Sequence, residues 1–364
     1  MFDITHVITT IDRGGAEKHL LQLASAQVSK GFRVRVIFLK GSGELSRDFE
    51  QNGCLVVNHL SNKNILIQIL KLRRIFKDDC RVIHAHLPRA ELLTSISSIN
   101  KFVVTRHNAE KFFPKAPDFL SRLLSRYVSL NTYACIGISN SVKAFLLENR
   151  EWPSNSEITV IHYGVQAHTL NPSVEKKKLL QDLKIPNTSK VVGTIARVVP
   201  QKDYPTLLKS FEIVNKKYPN SYLISVGEGF LQPEMHKLSI ELRIAENIRW
   251  IGKVENVDNY LQLFDCFVLT SIYEGFGLVL LEAANAGLPI VASNISAIPE
   301  VLGRAYKYLA QPGSCEQFAN FIIQSLTESS PIDLVKINQE IMDRFSVEKM
   351  LNSTLETYGI KQIS

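Results

Sequence analysis

Ser271-Ile272-Tyr273-Glu274-Gly275-Phe276-Gly277-Leu278-Val279-Leu280-Leu281-Glu282 follows a short apolar run, Cys266–Thr270, and leads into a helical one. The helical segment, Leu278–Ala286, stops at Gly287-Leu288-Pro289, a glycine C-cap followed by proline. Gly275 and Gly277 mark the strand-to-helix turn. Such a turn belongs to a parallel sheet, where ligands bind in loops at the carboxyl ends of the strands. Glu274 and Glu282 stand eight residues apart, one in the loop and one about a turn into the helix. Carboxylate oxygens that suit sugar hydroxyls therefore lie beside a helix N-terminus that suits phosphate.

The same alternation runs outward in both directions. Apolar β-rich runs fall at 4–9, 34–39, 55–57, 82–85, 102–105, 134–139 and 158–162. A second series falls at 191–196, 222–226, 248–251, 266–270, 289–292 and 306–309. Amphipathic segments separate them, which predicts two doubly wound α/β domains of Rossmann-like parallel sheets facing a central cleft. The seam is expected between Gly164 and Lys190, where Pro172, Pro186 and Lys176-Lys177-Lys178 carry no strand pattern.

The chain has 364 residues, 45% apolar and 21% charged, which excludes a disordered, collagenous or disulfide-scaffold protein. Its five cysteines, at 54, 80, 135, 266 and 315, form no CxxC pair, so they read as reduced thiols of a cytosolic protein. Met1-Phe2-Asp3 begins no signal-peptide pattern, and Gly275–Ala292 is too polar to span a membrane. Charge is uneven: residues 1–165 hold 22 Lys and Arg against 14 Asp and Glu, and the remainder hold 20 against 21. A basic half suggests an anionic partner. Lys71, Arg73, Arg74 and Lys77 lie among Ile65, Leu66, Ile69, Leu70 and Phe76, the pattern of an interfacial helix or of an ordinary helix packed on a sheet. Phe112-Phe113-Pro114-Lys115, followed by Arg122 and Arg126, is a second such segment. No zinc finger, RRM signature or arginine-rich tail points to nucleic acid.

Other motifs also fall just after strands. Gly14-Gly15 precedes a helix at Ala16–Ala26, as a phosphate-approach turn or a simple tight turn would. His84 and His86 share one side of a strand, and His107 ends the next one. Hydrogen bonding in the cleft fits them better than a metal pair, which lacks further ligands. Arg197 and Lys202 project from a strand-end loop, a fork of donors and a point charge that together suit a diphosphate. No P-loop is present. Gly227-Glu228-Gly229 is a fragment of a dinucleotide fingerprint and a plausible nucleotide-side turn.

These residues name a family. The chain resembles glycosyltransferase family 4 (group 1), retaining enzymes of the GT-B fold. The resemblance rests on GGAEKHLLQLA, VIHAH, VTRH, CIGISNSVKAFL, GTIARVVPQKDYPTLLKSF, LISVGEG, IPEV and, most specifically, the block from IRWIGKV through SIYEGFGLVLLE to PIVAS. It implies that Arg197 and Lys202 hold the donor diphosphate, Glu274 contacts the donor sugar and Glu282 bonds the ribose. It further implies that Phe276, Gly277 and Leu278 meet sugar and phosphates through their backbone, and that the backbone near Val254 reads the base. Gly15 would pass near the phosphate, His107 would stand by the reacting centre, and Gly14 and His86 would lie on the acceptor side. The implied division is an acceptor-side domain over 1–165, a nucleotide-sugar domain over 166–345, and a helix over 346–364 crossing back to the first. Tyr163-Gly164-Val165-Gln166 departs from the family's usual Asn-Gly-Val/Ile-Asp linker.

The expected reaction is sugar transfer from a nucleotide-diphosphate donor, with a uracil base implied, to a lipid-linked glycan in surface polysaccharide or lipopolysaccharide synthesis. Arg197, Lys202 and helix N–H groups would stabilise the leaving diphosphate without a metal, in keeping with the lack of a DxD motif. No other cofactor is expected. Residues 1–165 show no strong second carboxylate for a double displacement, so the resemblance implies front-face transfer with retention. A cytoplasmic enzyme is expected, with the basic half resting on the inner face of the plasma membrane. The rivals are a nucleotide-sugar 2-epimerase of the same fold and a non-catalytic nucleotide-sugar-binding protein.

Overall fold

A computed structural model describes residues 2–78, 80–166, 170–327 and 331–360. The chain divides into two compact units, Met1–Gln166 with Phe345–Ser364, and Ala167–Arg344.

The first unit alternates strand and helix. It runs β1 (Phe2–Ile8), α1 (Gly15–Ser29), β2 (Val34–Phe38), α2 (Ser46–Gln51), β3 (Leu55–Val57), α3 (Ile65–Asp78) and β4 (Cys80–His86). It continues with α4 (Pro88–Ser97), β5 (Phe102–Arg106), α5 (Asp118–Leu130), β6 (Thr132–Gly137), α6 (Asn140–Glu148) and β7 (Ile158–Val160). The strands form one parallel sheet in the order β3-β2-β1-β4-β5-β6-β7. β2 and β5 are buried at every position, as strands covered on both faces must be. The strand order reverses between β1 and β4, so a crevice opens where their carboxyl ends diverge.

The second unit repeats the plan. It runs α7 (Lys176–Asp182), β8 (Lys190–Ile195), α8 (Tyr204–Lys217), β9 (Ser221–Val226), α9 (Gln232–Glu241), β10 (Ile248–Gly252), α10 (Asp258–Leu261) and β11 (Cys266–Leu269). Then come α11 (Leu278–Asn285), β12 (Ile290–Ser293), α12 (Ile298–Leu302), β13 (Leu309–Ala310), α13 (Cys315–Thr327) and α14 (Pro331–Arg344). Its sheet is also parallel, in the order β10-β9-β8-β11-β12-β13, with the reversal between β8 and β11. Leu207, Leu208 and Phe211 of α8 and Phe318 and Ile322 of α13 close over Val192, Leu223 and Val268.

The last helix, α15 (Val347–Thr357), belongs to the first unit and packs on α1. Ser346 caps its N-terminus, and Met350, Leu351, Leu355 and Tyr358 join the core around Ile4, Leu20 and Leu23. Val165 N–H donates to the Phe345 carbonyl (2.8 Å), which fixes where the returning chain enters.

One expectation needs correction. The strand read at 306–309 is only Leu309–Ala310, because the Tyr306 hydroxyl turns inward to accept from the Ile290 N–H (3.1 Å). Of the two patterns open for α3, it packs by one edge and leaves the other bare: Gln68, Leu72 and Phe76 are buried, whereas Ile65, Leu66, Ile67 and Leu70 are exposed beside Lys71, Arg73, Arg74 and Lys77. α5 is similar, with Phe119 and Leu130 each 72% exposed. Among the described residues no helix is long and apolar enough to cross a membrane. The cysteines are free thiols, with Cys54, Cys135 and Cys266 buried.

Candidate active site

In the second unit the predicted donor-side residues gather where the strand order reverses. Arg197 and Lys202 follow β8, and Glu274 follows the adjacent β11. The two loops are stapled together. Thr270 Oγ1 donates to the Lys202 carbonyl (2.8 Å), Ile272 N–H donates to the Gln201 carbonyl (2.9 Å), and Gln201 Nε2 donates to the Tyr273 carbonyl (3.0 Å). These bonds bring the Lys202 ammonium onto Glu274 Oε1, with both side chains largely buried. The Ser271 hydroxyl donates to the same oxygen (2.7 Å). A buried carboxylate and ammonium are stable only as such a pair, so each holds the other in place. Arg197 is exposed on the same loop.

The neighbouring loops close the site. The loop after β9 presses against the one that carries Arg197. A Cβ on Gly227 would lie 2.3 Å from the Ala196 oxygen, and one on Gly229 would lie 2.1 Å from the Val198 oxygen. Only glycine permits that approach. Gly227 N–H then donates to the Gly252 carbonyl (2.7 Å), placing Val254 on the next loop, partly exposed. Gly277, at φ 88°, turns the chain into α11 and, having no side chain, brings no cap of its own to the first N–H groups of that helix. Phe276 and Leu278 are buried, and Glu282 is half-buried on α11.

The first unit holds the other predicted residues. A Cβ on Gly15 would meet nothing within 4 Å, so the start of α1 is open to a ligand, and a Cβ on Gly14 would run into the Glu17 carboxylate. The histidines behave differently from expectation. His86, expected on the acceptor side, is fully buried, as are His84 and His6. The register sets His6 beside His84, and α1 and α15 cover that face. The three could ring a metal ion by proximity. Every one of their ring nitrogens already has a hydrogen-bond partner, however, and those bonds account for the cluster. His6 Nε2 meets Gln27 Oε1 (2.8 Å) and His6 Nδ1 meets His86 Nε2 (3.0 Å). His86 Nδ1 meets His107 Nε2 (3.1 Å), and His107 Nδ1 meets the Tyr163 hydroxyl (2.6 Å). His84 bonds the Tyr358 hydroxyl (2.7 Å) and Thr105 Oγ1 (2.7 Å), and Gln27 Nε2 reaches Tyr358 (3.4 Å). Burial pushes His6 down to about 4 and His107 down to about 3, and lowers His84 and His86 well below the usual imidazole range. All four rings are therefore neutral at neutral pH.

His107 also borders a pocket of about 170 Å³ with Leu87, Glu91, Arg106 and Lys111. Behind it lies a buried ion cluster: Arg106 Nε is 2.8 Å from Glu91 Oε2, and its Nη1 is 3.7 Å from Glu151 Oε2. Burial raises Glu91 to about 7 despite the guanidinium. Glu151 accepts from Phe112 N–H (2.8 Å) and so pins the segment that flanks the pocket. None of Gln27, Glu91 or Glu151 stood out in the sequence, and Tyr163 did so only as a departure from the family's usual linker. Gln27 left one trace, as a polar residue beside Leu20, Leu23 and Ala24 among the buried positions of α1, which also include His19.

Comparison with known proteins yields concordant matches. A family profile described as glycosyl transferases group 1 matches residues 175–340, and one described as glycosyltransferase family 4 matches residues 13–168. An Escherichia coli UDP-Gal:alpha-D-GlcNAc-diphosphoundecaprenol alpha-1,3-galactosyltransferase is 23% identical, over 84% of this chain and 81% of its own. A Rhizobium meliloti lipopolysaccharide core biosynthesis glycosyltransferase, LpsE, is 26% identical over 96% of each chain. The crystal structure of Anabaena HepE in complex with UDP and glucose superposes with a TM-score of 0.85 at 20% identity, over 99% of this chain and 100% of that one.

Proposed function

The chain belongs to the family 4, group 1 glycosyltransferases of the GT-B fold, and from that premise we propose that it transfers a sugar, with retention, from a uridine-diphosphate sugar to a lipid-linked glycan in surface polysaccharide or lipopolysaccharide synthesis. The observation that carries the reading is the loop staple that sets Lys202 and Glu274 beside the start of α11. A diphosphate at that point would meet Lys202, the nearby Arg197 and the helix N–H groups. These stabilise the charge that develops as the sugar–phosphate bond breaks. Glu274 lies where the sugar would sit, and its carboxylate offsets the positive charge that develops on the ring. The leaving phosphate takes the acceptor's proton. Lys202 and Arg197 supply the positive charge themselves, so no metal is needed.

The lipid acceptor is supported by the relatives' names and by the surface of the first unit. α3 presents Leu66 and Leu70 beside four basic residues, and α5 presents Phe119, Leu123 and Leu130 beside Arg126. Apolar side chains rimmed by cations suit an anionic bilayer.

A thermal-shift panel of UDP-, GDP- and ADP-sugars, with and without EDTA, tests the donor reading. UDP-sugars alone should raise Tm, equally in EDTA. A shift that needs a divalent metal, or one given only by another base, would overturn it. Vesicle co-flotation tests the surface: a Phe119→Ser, Leu123→Ser, Leu130→Ser variant should lose binding to anionic liposomes, and unchanged binding would remove the membrane from the account.

A further inference from the structure

Three of the buried histidines of the first unit, His6, His86 and His107, form a line, and a line of imidazoles has a direction. A neutral imidazole carries one N–H and one lone pair, so each ring that donates at one nitrogen must accept at the other. Gln27 presents its carbonyl oxygen, an acceptor only, to His6 Nε2. The His6 proton therefore sits on Nε2, and its Nδ1 accepts from His86 Nε2–H. His86 Nδ1 in turn accepts from His107 Nε2–H. His107 is left with a bare Nδ1, which the Tyr163 hydroxyl meets as donor.

We infer that Gln27 is a positioning residue for His107: acting through His6 and His86, it fixes which nitrogen of that ring holds the proton. The inference rests on the reading that His107 stands beside the reacting sugar. A second proton on His6 or His86 would set N–H against N–H, and desolvation opposes a second proton on all three rings. A neutral ring matters there, because an imidazolium would repel the positive charge that develops on the sugar. α1 supports the assignment. Its buried residues are otherwise His19, Leu20, Leu23 and Ala24, and methionine would fill the Gln27 position without a polar group. An amide at that position is satisfied on both sides, by His6 and by Tyr358.

Long-range 1H–15N spectra of histidine-labelled full-length protein at pH 7 read the tautomers directly. His6, His86 and His107 should all report Nε2–H, with no imidazolium. Gln27→Met should add a second, Nδ1–H set for the same rings. It should also lower kcat about tenfold or more, while UDP affinity, which depends on the other unit, stays unchanged. Tyr163→Phe keeps the amide and should keep the Nε2–H set, so the direction can be read even if Gln27→Met fails to fold. An Nδ1–H signal from any of the three rings in the native protein overturns the inference, and so does a single Nε2–H set in Gln27→Met. A His107→Ala variant that loses kcat while Gln27→Met keeps it overturns the positioning role alone. Full kcat in both variants overturns the reading of His107 on which the inference stands.

Discussion

Replacing Lys202 with methionine removes a charge that is committed twice, to Glu274 within the fold and to the donor diphosphate in the proposed reaction. The side chains of Lys202 and Glu274 are only 13% and 7% exposed. Breaking a buried pair costs about 3–5 kcal/mol when the remaining charge is wholly uncompensated. Here the Ser271 hydroxyl still donates to Glu274, so a loss of about 1–3 kcal/mol is expected. For a unit of this size that lowers Tm by about 2–10 °C. A charge-assisted hydrogen bond contributes about 1.5–3 kcal/mol, so UDP affinity should fall about tenfold to 150-fold. Glu274→Gln separates the two roles. It keeps Lys202 and removes its carboxylate partner, so UDP should bind at least as tightly while turnover falls. Isothermal titration with UDP on the three proteins, together with their melting curves, measures both effects. A Lys202→Met protein that melts lower yet binds UDP unchanged would refute the reasoning, because Lys202 would then serve the loop staple alone.

Arg106→Met leaves Glu91 and Glu151 buried without their cation, and the first unit should lose about 3–5 kcal/mol in a denaturant titration at neutral pH. Glu91 is raised by burial to about 7 from an ordinary value of 4.5, so its stabilising contribution is full below about 4.5 and fades as pH rises through about 7. Glu91→Gln should flatten that part of the stability-versus-pH curve, and an unchanged slope between pH 5 and 7.5 would count against the assignment. Gly229→Ala would put a Cβ 2.1 Å from the Val198 oxygen. It should displace the Arg197 loop and weaken UDP binding, which titration would detect.

Much of the fold was legible because parallel strands buried on both faces write themselves as apolar runs. β2 and β11 fall inside the runs read at 34–39 and 266–270. β13 was misplaced because Tyr306 and Tyr308 look strand-like, while one of them serves as a hydrogen-bond acceptor in a turn. The donor-side residues could be read because each follows a strand in a loop with glycine at the turn. The histidine line could not. Its members come from β1, α1, β4, β5, the segment at Tyr163 and the end of α15, and only the sheet register and the returning helix bring them together. Sequence showed His84, His86 and His107 as polar residues at strand ends, and from there a role toward ligand was the natural reading. His84 is covered by the returning C-terminal segment, whose Tyr358 hydroxyl meets it from 274 positions away. For α3 the sequence left an interfacial and a packed helix both open, since periodicity gives the stripe but not the side from which it is covered.

The most direct measurement is an NMR time course of UDP-galactose, UDP-glucose and GDP-mannose, each with a sugar-diphosphate-lipid acceptor and EDTA present. The account predicts that a UDP-sugar is consumed and that the new glycosidic linkage keeps the donor's α configuration. Consumption of GDP-mannose alone, an inverted linkage, or turnover that appears only when a divalent metal is restored would contradict it.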